Sequence, residues 1–305
     1  MIQDSARHAL EAALGPAITF DVAMSKHTSL RIGGPADALA MPPDRDSLRT
    51  LLGLCHQHGL PHSVIGAGFN MLVQDGGMEG VVIQLKKLRR LEQTEPGLVF
   101  AEAGVSHASL TRFCVERGLS GLEFAAGIPG TVGGWLRMNA GIPDREQKDV
   151  IREIQIISAD GQDETTLPIG ELDFTYRALR GLPEGALIAS GLFEVEASSQ
   201  EVVQAEVRRL LDRRSDTQPL DIPSCGSVFR NPKGDHAGRL IEAAGLRGER
   251  IGGAEVSTLH ANFITNQGGA TADDVLSLIK KIRERVFHDS RIELETEVCI
   301  VGRPA

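Results

Sequence analysis

Residues 127–141 read GIPGTVGGWLRMNAG, and five of these fifteen residues are glycine. Without a Cβ the chain reaches positive φ, and its N–H groups can lie against a neighbour that a side chain would hold off. A second such segment, Gly66-Ala-Gly68-Phe-Asn70, follows directly on a strand-like HSVIG. Successive exposed N–H groups form a concavity suited to an anion, a pyrophosphate above all. Each segment also carries an asparagine as a further donor, Asn70 in one and Asn139 in the other. A bound dinucleotide is one reading of the pair. Tight turns packed against the protein itself are the other.

Neither segment fits the common nucleotide fingerprints. A Rossmann turn needs a third glycine where this chain has Met71, and a helix where LVQDGGMEG follows. A phosphate loop ends in Gly-Lys-Ser/Thr, whereas Gly133-Gly134 precedes Trp135. A Rossmann dehydrogenase and a nucleotide hydrolase are therefore set aside.

The net charge of −9 argues against broad nucleic-acid or membrane binding, which needs a basic field. It does not oppose an anionic small molecule held by a few local donors. No apolar run approaches the roughly 20 residues that span a bilayer. The start, MIQDSARHALEAALGPAITF, lacks the basic and apolar regions of a signal peptide. Four dispersed cysteines without a C-x-x-C suit reduced thiols. A soluble, cytoplasmic protein is expected, and a monomer. His56, His58 and His62 lie close together in HQHGLPH, but no carboxylate or cysteine spacing completes a ligand set, so no metal is expected.

Helical spacing predicts helices over 4–14, 44–59, 106–117, 199–215 and 272–287, the last with Thr271 as cap and a buried stripe of Val275, Leu276, Ile279, Ile282 and Val286. Strand-like segments include TSLRIGGPADALAMP, VVIQL, LVFAEAG, VIREIQIIS, ETTLPI and ALIASGLFEVEA. A Pro-rich stretch, TQPLDIPSCGSVF, marks a domain boundary just before or within it.

The segments TSLRIGGPAD, GAGFNMLVQDGG, AGIPGTVGGWLRMNAG, FTYR, QPLDIPSCGSVFRNP, AGRLIEAAGLRG, GAEVSTLHANFITNQGGAT and LETEV follow one another from residue 28 to the C-terminal region. In number and order they resemble the UDP-N-acetylenolpyruvoylglucosamine reductase family of flavoenzymes. The resemblance implies an α+β chain: a vanillyl-alcohol-oxidase-like two-lobe FAD-binding region followed by an α+β substrate-binding domain, with divisions at 1–65, 66–204 and 205–305. Only a short link follows Tyr176-Arg177, so the chain resembles the shorter subtype, which lacks an inserted tyrosine loop.

The implied activity is UDP-N-acetylmuramate dehydrogenase. NADPH reduces non-covalent FAD, which reduces the enolpyruvyl ether in peptidoglycan synthesis. Implied catalytic residues are Ser227 as proton donor, with Arg177 and Glu297. Implied cofactor contacts are Arg31, Gly33, Gly66, Gly68, Asn70, Leu72, Gly127, Pro129, Gly130, Thr131, Gly133, Gly134, Asn139 and Gly141. Tyr176, Arg214, Arg230 and Asn231 are implied for the substrate. By the residues alone, Ser227 is also a turn residue in CGS, Arg177 a solvated charge and Glu297 an edge-strand charge.

The chain departs from the family pattern at Phe69, at Trp135, in DREQKD after NAGIP, at Thr217 and at Arg230. Two other readings stand beside the reductase: another FAD-dependent oxidoreductase on the same scaffold, and a relative that binds flavin or nucleotide without catalysis.

Overall fold

The computed structural model describes residues 2–143 and 145–305, so Asp144, which opens DREQKD, lies outside the described residues. The chain divides into two compact units. One comprises Met1–Phe20, Ala38–Ala67 and Gly80–Arg214; the other comprises Asp21–Asp37, Gly68–Glu79 and Ser215–Ala305. This differs from three continuous segments. Two early excursions belong with the C-terminal unit, and the helix Gln200–Thr217 runs uninterrupted through residue 205. That helix buries Val203 and Leu210 in a core of the first unit, which holds its start there.

In the first unit, α1 (Asp4–Leu14) and α2 (Arg45–Gln57) share one core. Asp44 caps α2 by accepting from the Ser47 N–H at 2.8 Å. Leu48, Leu51, Leu52 and Cys55 then fall on one buried face, against Leu10, Leu14, Val81 and Ile83. Strand His62–Ile65 pairs in parallel with Met78–Gln84 and delivers the chain to Gly66.

A second core of this unit lies under an antiparallel sheet. Its strand order is Glu164–Pro168, Ile151–Ile157, Leu187–Glu194, Leu98–Glu102, Leu91–Glu95. Helix α3 (His107–Arg117) begins at Ser106, whose hydroxyl accepts from the Ser109 N–H. It ends where Gly118 takes φ +59, a conformation glycine adopts without a Cβ clash.

The glycine-rich stretch is not all loop. Val132–Met138 forms a short helix, α4. Trp135 points from it into the second core, 1% exposed, with its ring centroid 5.1–5.4 Å from those of His107, Phe124 and Phe193. Its Nε1 donates to the Ala140 carbonyl at 2.8 Å. The indole is therefore an anchor for α4, with its one polar atom satisfied. Helix α5 is the Gln200–Thr217 segment already described.

The second unit carries an antiparallel sheet in the order Ser224–Ser227, Phe263–Asn266, Ala254–Val256, Arg250–Ile251. Helices α6 (Ala237–Ala243) and α7 (Ala272–Ser290) share its core. In α7 a capping box joins Thr271 and Asp274. Val275, Leu278, Ile279, Ile282 and Val286 are buried, while Leu276 sits half-buried at the edge of the stripe. Strand Cys299–Val301 lies parallel to Met71–Val73. TSLRIGGPADALAMP forms a strand only over Pro35–Ala40; residues 28–34 turn too tightly, with Arg31 at φ +57 and Gly33 at φ +140. No helix among the described residues is long and apolar enough to cross a membrane.

Candidate functional site

In the first unit the glycines divide into two kinds. Some press the backbone onto the protein. A Cβ at Gly133 would stand 2.8 Å from that of Ala103, and its N–H already donates to the Ala103 carbonyl. A Cβ on Gly141 would lie 2.3 Å from the Arg145 carbonyl oxygen, inside a tight hairpin. Others face space. At Gly130, φ +136, the nearest atom to such a Cβ is 3.9 Å away on His107, and at Gly134 it is Thr131 Oγ1, also at 3.9 Å. At Gly66 that same Oγ1 would be only 2.6 Å away, so the two glycine segments of this unit meet at Thr131.

Two buried polar atoms flank this loop without a partner: Thr131 Oγ1 and His107 Nε2. His107 Nδ1 lies 2.6 Å from the Ile128 carbonyl, which can only accept, so Nδ1 carries the proton and Nε2 a lone pair. The His107 N–H also donates to the Gly130 carbonyl at 3.2 Å, so one residue braces both sides of Pro129. Complete burial pushes the His107 pKa down to about 4, against the pull of the Ile128 hydrogen bond, and the Arg214 charge pushes the same way. Arg214 is itself partly desolvated, which lowers its own pKa. Sequence reading left His107 out. Its signal is a histidine directly after the cap Ser106, where solvent exposure was the natural default.

This sets a pH dependence with a definite sign. The folded pKa is below the unfolded one, about 6.5, so the unfolded chain takes up the proton first as pH falls. Stability is lost between pH 6.5 and pH 4, by about 3 kcal/mol at full effect. Urea unfolding at pH 7.5 and pH 5 should show wild type losing roughly 2 kcal/mol more than His107→Gln. His62 and His260, also lowered by burial, are common to both proteins and cancel in the comparison. Equal losses would show that His107 titrates as an ordinary surface imidazole.

Asn139 ends α4 at φ +40 and is fully buried. Its amide is used within the protein. Nδ2 donates to Glu146 Oε2 at 3.0 Å and to the Thr175 carbonyl at 3.1 Å, and Oδ1 accepts from the Lys148 N–H at 3.0 Å. The side chain expected on a cofactor is thus committed elsewhere. Tyr176 and Arg177 form the two-residue tip between strands Asp173–Thr175 and Ala178–Arg180. Arg177 takes φ +56, and its guanidinium lies 5.0 Å from the Tyr176 ring centroid.

In the second unit Ser227 ends its strand at an irregularity. The register shifts between Ser224 and Ser227, and Gly226 takes φ +76. The CGS stretch is thus a bulge, which re-aims the serine relative to the ladder. Asn262 holds the following residues: its carbonyl accepts from the Val228 N–H, and its amide bonds both backbone groups of Phe229. The Glu297 N–H donates to the Val228 carbonyl at 2.8 Å, and Asn70 Nδ2 donates to the Glu297 carbonyl at 3.2 Å. Glu297 is therefore tied to the Ser227 strand through backbone and to Asn70 through the Asn70 amide. Cys225 is a buried thiol whose pKa burial pushes up to about 12, as a small core residue rather than a nucleophile.

Ser227 and Asn231 line a pocket of about 320 Å³ with His236, Arg239, Arg247 and His260. Asn231 Oδ1 accepts from Ala237 N–H at the start of α6, which fixes the amide at the rim. The arginines are balanced by acids, Arg239 by Asp235 and Arg247 by Glu242. The sequence reading missed these four. His260, in LHANF, and Arg239 and Arg247, in AGRLIEAAGLRG, belong to segments that carry the resemblance, but nothing in their spacing places them beside Ser227.

Several expected cofactor contacts of this unit turn toward protein. Leu72 is fully buried in the core, paired in register with Ile300. A Cβ on Gly33 would meet Val73 at 2.8 Å, and the Gly68 carbonyl accepts from Ser29 N–H and Oγ. Phe69, one of the departures from the family pattern, is 38% exposed. Arg230, beside Ser227's strand, donates its N–H to the Glu295 carbonyl. Among the described residues no group of three His, Cys, Asp or Glu is arranged to hold a metal ion.

The residues present fit a dinucleotide on the first unit. Open glycine faces at Gly130 and Gly134 adjoin buried, unpartnered Thr131 Oγ1 and His107 Nε2. Comparison with known proteins agrees. Residues 36–166 match an FAD binding domain, and residues 218–301 match the C-terminal domain of UDP-N-acetylenolpyruvoylglucosamine reductase. The chain is 45% identical over 293 residues to the UDP-N-acetylenolpyruvoylglucosamine reductase of Geobacter metallireducens, covering 96% of this chain and 97% of that one. The crystal structure of the Thermus caldophilus reductase superposes with a TM-score of 0.80 at 32% identity, covering 92% of this chain and 97% of that chain. A glucose dehydrogenase, Phl p 4.0202, shares the fold over 65% of this chain and 45% of its own, at 11% identity and TM-score 0.50.

Proposed function

The chain belongs to the UDP-N-acetylenolpyruvoylglucosamine reductase family, and from that premise we infer that it reduces the enolpyruvyl ether of UDP-N-acetylglucosamine to UDP-N-acetylmuramate, for peptidoglycan synthesis, at the expense of NADPH. The observation that carries this is agreement with a reductase over nearly the full length of both chains. When bound, FAD would supply the hydride chemistry between NADPH and the substrate double bond.

The first unit's contribution is to hold that group and to carry Arg177 and Arg214. Gly66, Gly127, Pro129, Gly130, Thr131 and Gly134 offer main chain, and Thr131 Oγ1 and His107 Nε2 offer the unpartnered polar atoms. On the second unit, Arg31, Gly68 and Asn70 are the expected contacts that present backbone. Gly133, Asn139 and Gly141 shape the first unit's segments from behind, and Gly33 and Leu72 those of the second.

Hydride addition to the methylene carbon leaves negative charge on the neighbouring carbon and its carboxylate, which must be stabilised and then protonated. Arg177 presents a planar cationic fork suited to a carboxylate. Ser227 supplies the proton, a weak hydroxyl acid matched to a strongly basic carbon, and Glu297, tied to it through Val228, orients or donates beside it. Tyr176, Arg214, Arg230 and Asn231 bind the sugar nucleotide. The pocket beside Ser227 takes part of it, with Arg239 and Arg247 suited to phosphate oxygens. The enzyme works as a cytoplasmic monomer, a state that light scattering of the FAD-loaded protein checks directly.

Anaerobic mixing tests the assignment. NADPH should bleach the FAD-loaded protein, and the enolpyruvyl sugar nucleotide should restore the absorbance with formation of its lactyl ether. An oxidase of alcohols or hydroxy acids would instead be bleached by its own substrate and recoloured by oxygen. A protein that FAD cannot reconstitute would be a non-catalytic relative.

A further inference from the structure

Helix α4 does more than close the glycine loop. Arg137, its penultimate residue, donates from Nη1 to the Leu179 carbonyl at 2.5 Å. Asn139, its C-cap, donates from Nδ2 to the Thr175 carbonyl at 3.1 Å. These two carbonyls lie on either side of the hairpin tip Tyr176-Arg177, one on each strand. Leu179 is buried in the same core as Trp135, and Phe174 packs against it. The hairpin thus rests on α4 by apolar contact and is fixed in rotation by two hydrogen bonds.

The tip needs such fixing. Arg177 holds φ +56, a conformation that disfavours residues with a Cβ. A backbone of that kind persists only where its surroundings over-determine it. A three-residue pair of strands cannot do this alone, since isolated two-stranded hairpins are marginal in water. Asn139 is itself locked by Glu146 and by the Lys148 N–H, so its amide cannot swing away from Thr175.

We propose that Arg137 and Asn139 are positioning residues for Arg177: they hold the hairpin that aims its guanidinium at the substrate carboxylate, and so join that cation to the helix that follows the flavin-binding loop. The proposal rests on the role assigned to Arg177 above. It extends the function of α4 from cofactor binding to the geometry of the second half-reaction.

The test uses the FAD-loaded protein in anaerobic rapid mixing, with Arg177→Ala as reference. Arg137→Met keeps the stem of an exposed side chain and removes the donor with its charge. It should retain FAD and be bleached by NADPH within about twofold of wild type, while reoxidation by the enolpyruvyl sugar nucleotide slows roughly 10- to 100-fold. Arg137→Lys should recover most of that rate. Asn139→Gly, which keeps the left-handed C-cap, should likewise slow reoxidation. In an Arg177→Ala background, Arg137→Met should add little, because it acts through the missing side chain. Full slowing on top of Arg177→Ala, or an equal loss in both half-reactions, overturns the proposal. If Arg177→Ala slows reoxidation while neither α4 variant does, positioning is wrong and the role of Arg177 stands. If Arg177→Ala has no effect, that role fails first and the positioning falls with it.

Discussion

Ser227→Ala is expected to leave bleaching by NADPH within a few-fold of wild type and to slow reoxidation by the enolpyruvyl sugar nucleotide by about 10²- to 10⁴-fold, the range over which a positioned proton donor acts. The asymmetry follows from the chemistry. The first half-reaction needs no proton from this hydroxyl, while the second ends with a basic carbon that must be protonated. The fold should not interfere. Ser227 is half-buried at the end of its strand, its neighbour Gly226 carries the unusual φ of +76, and Asn262 holds the residues beyond it. Alanine leaves all of these in place. Ser227→Cys retains a proton at the same position and should lie between the two in rate. Equal damage to both half-reactions would remove Ser227 from the role of donor and leave it as a wall of the pocket.

How much of this was legible in the sequence depends on the distance between partners. Helices α2, α3 and α7 declare themselves locally: Asp44, Ser106 and Thr271 each accept from an N–H three residues on, and their apolar residues recur at helical spacing. The short α4 does not. It is 7 residues long with two glycines, and it is held by Trp135 packing against Phe193 and His107. None of those partners is local. The glycines show the same limit from another side. Sequence marks Gly133 and Gly134 as equivalent, yet one is pressed onto Ala103 and the other faces space. Asn139 was read as a donor to a ligand because it follows glycines, whereas its acceptors, Glu146 and Thr175, lie 7 and 36 residues away. The interleaving of the two units, with 21–37 and 68–79 packed beside the C-terminal region, leaves no local composition signal at all.

Arg177→Gly separates the side chain of a strained residue from its backbone. Reoxidation is expected to fall by at least about 10²-fold, since the fork that meets the developing carboxylate charge is gone. NADPH bleaching should change little. Stability should move the other way. At φ +56 an L-residue bears a cost of roughly 1–2 kcal/mol that glycine does not. Glycine also gives the unfolded chain more freedom, which takes back roughly 0.4–1 kcal/mol. Arg177→Ala keeps the strain without the guanidinium. The glycine variant should therefore be about 0.5–1 kcal/mol more stable than the alanine variant by urea unfolding, with the two equally slow in reoxidation. An alanine variant as stable as the glycine one would mean that the tip relaxes out of the left-handed region when free to do so. A glycine variant that reoxidises at the wild-type rate would reduce Tyr176-Arg177 to an ordinary turn. The combination expected here, slower and more stable, is what a conformation held for function rather than for folding produces.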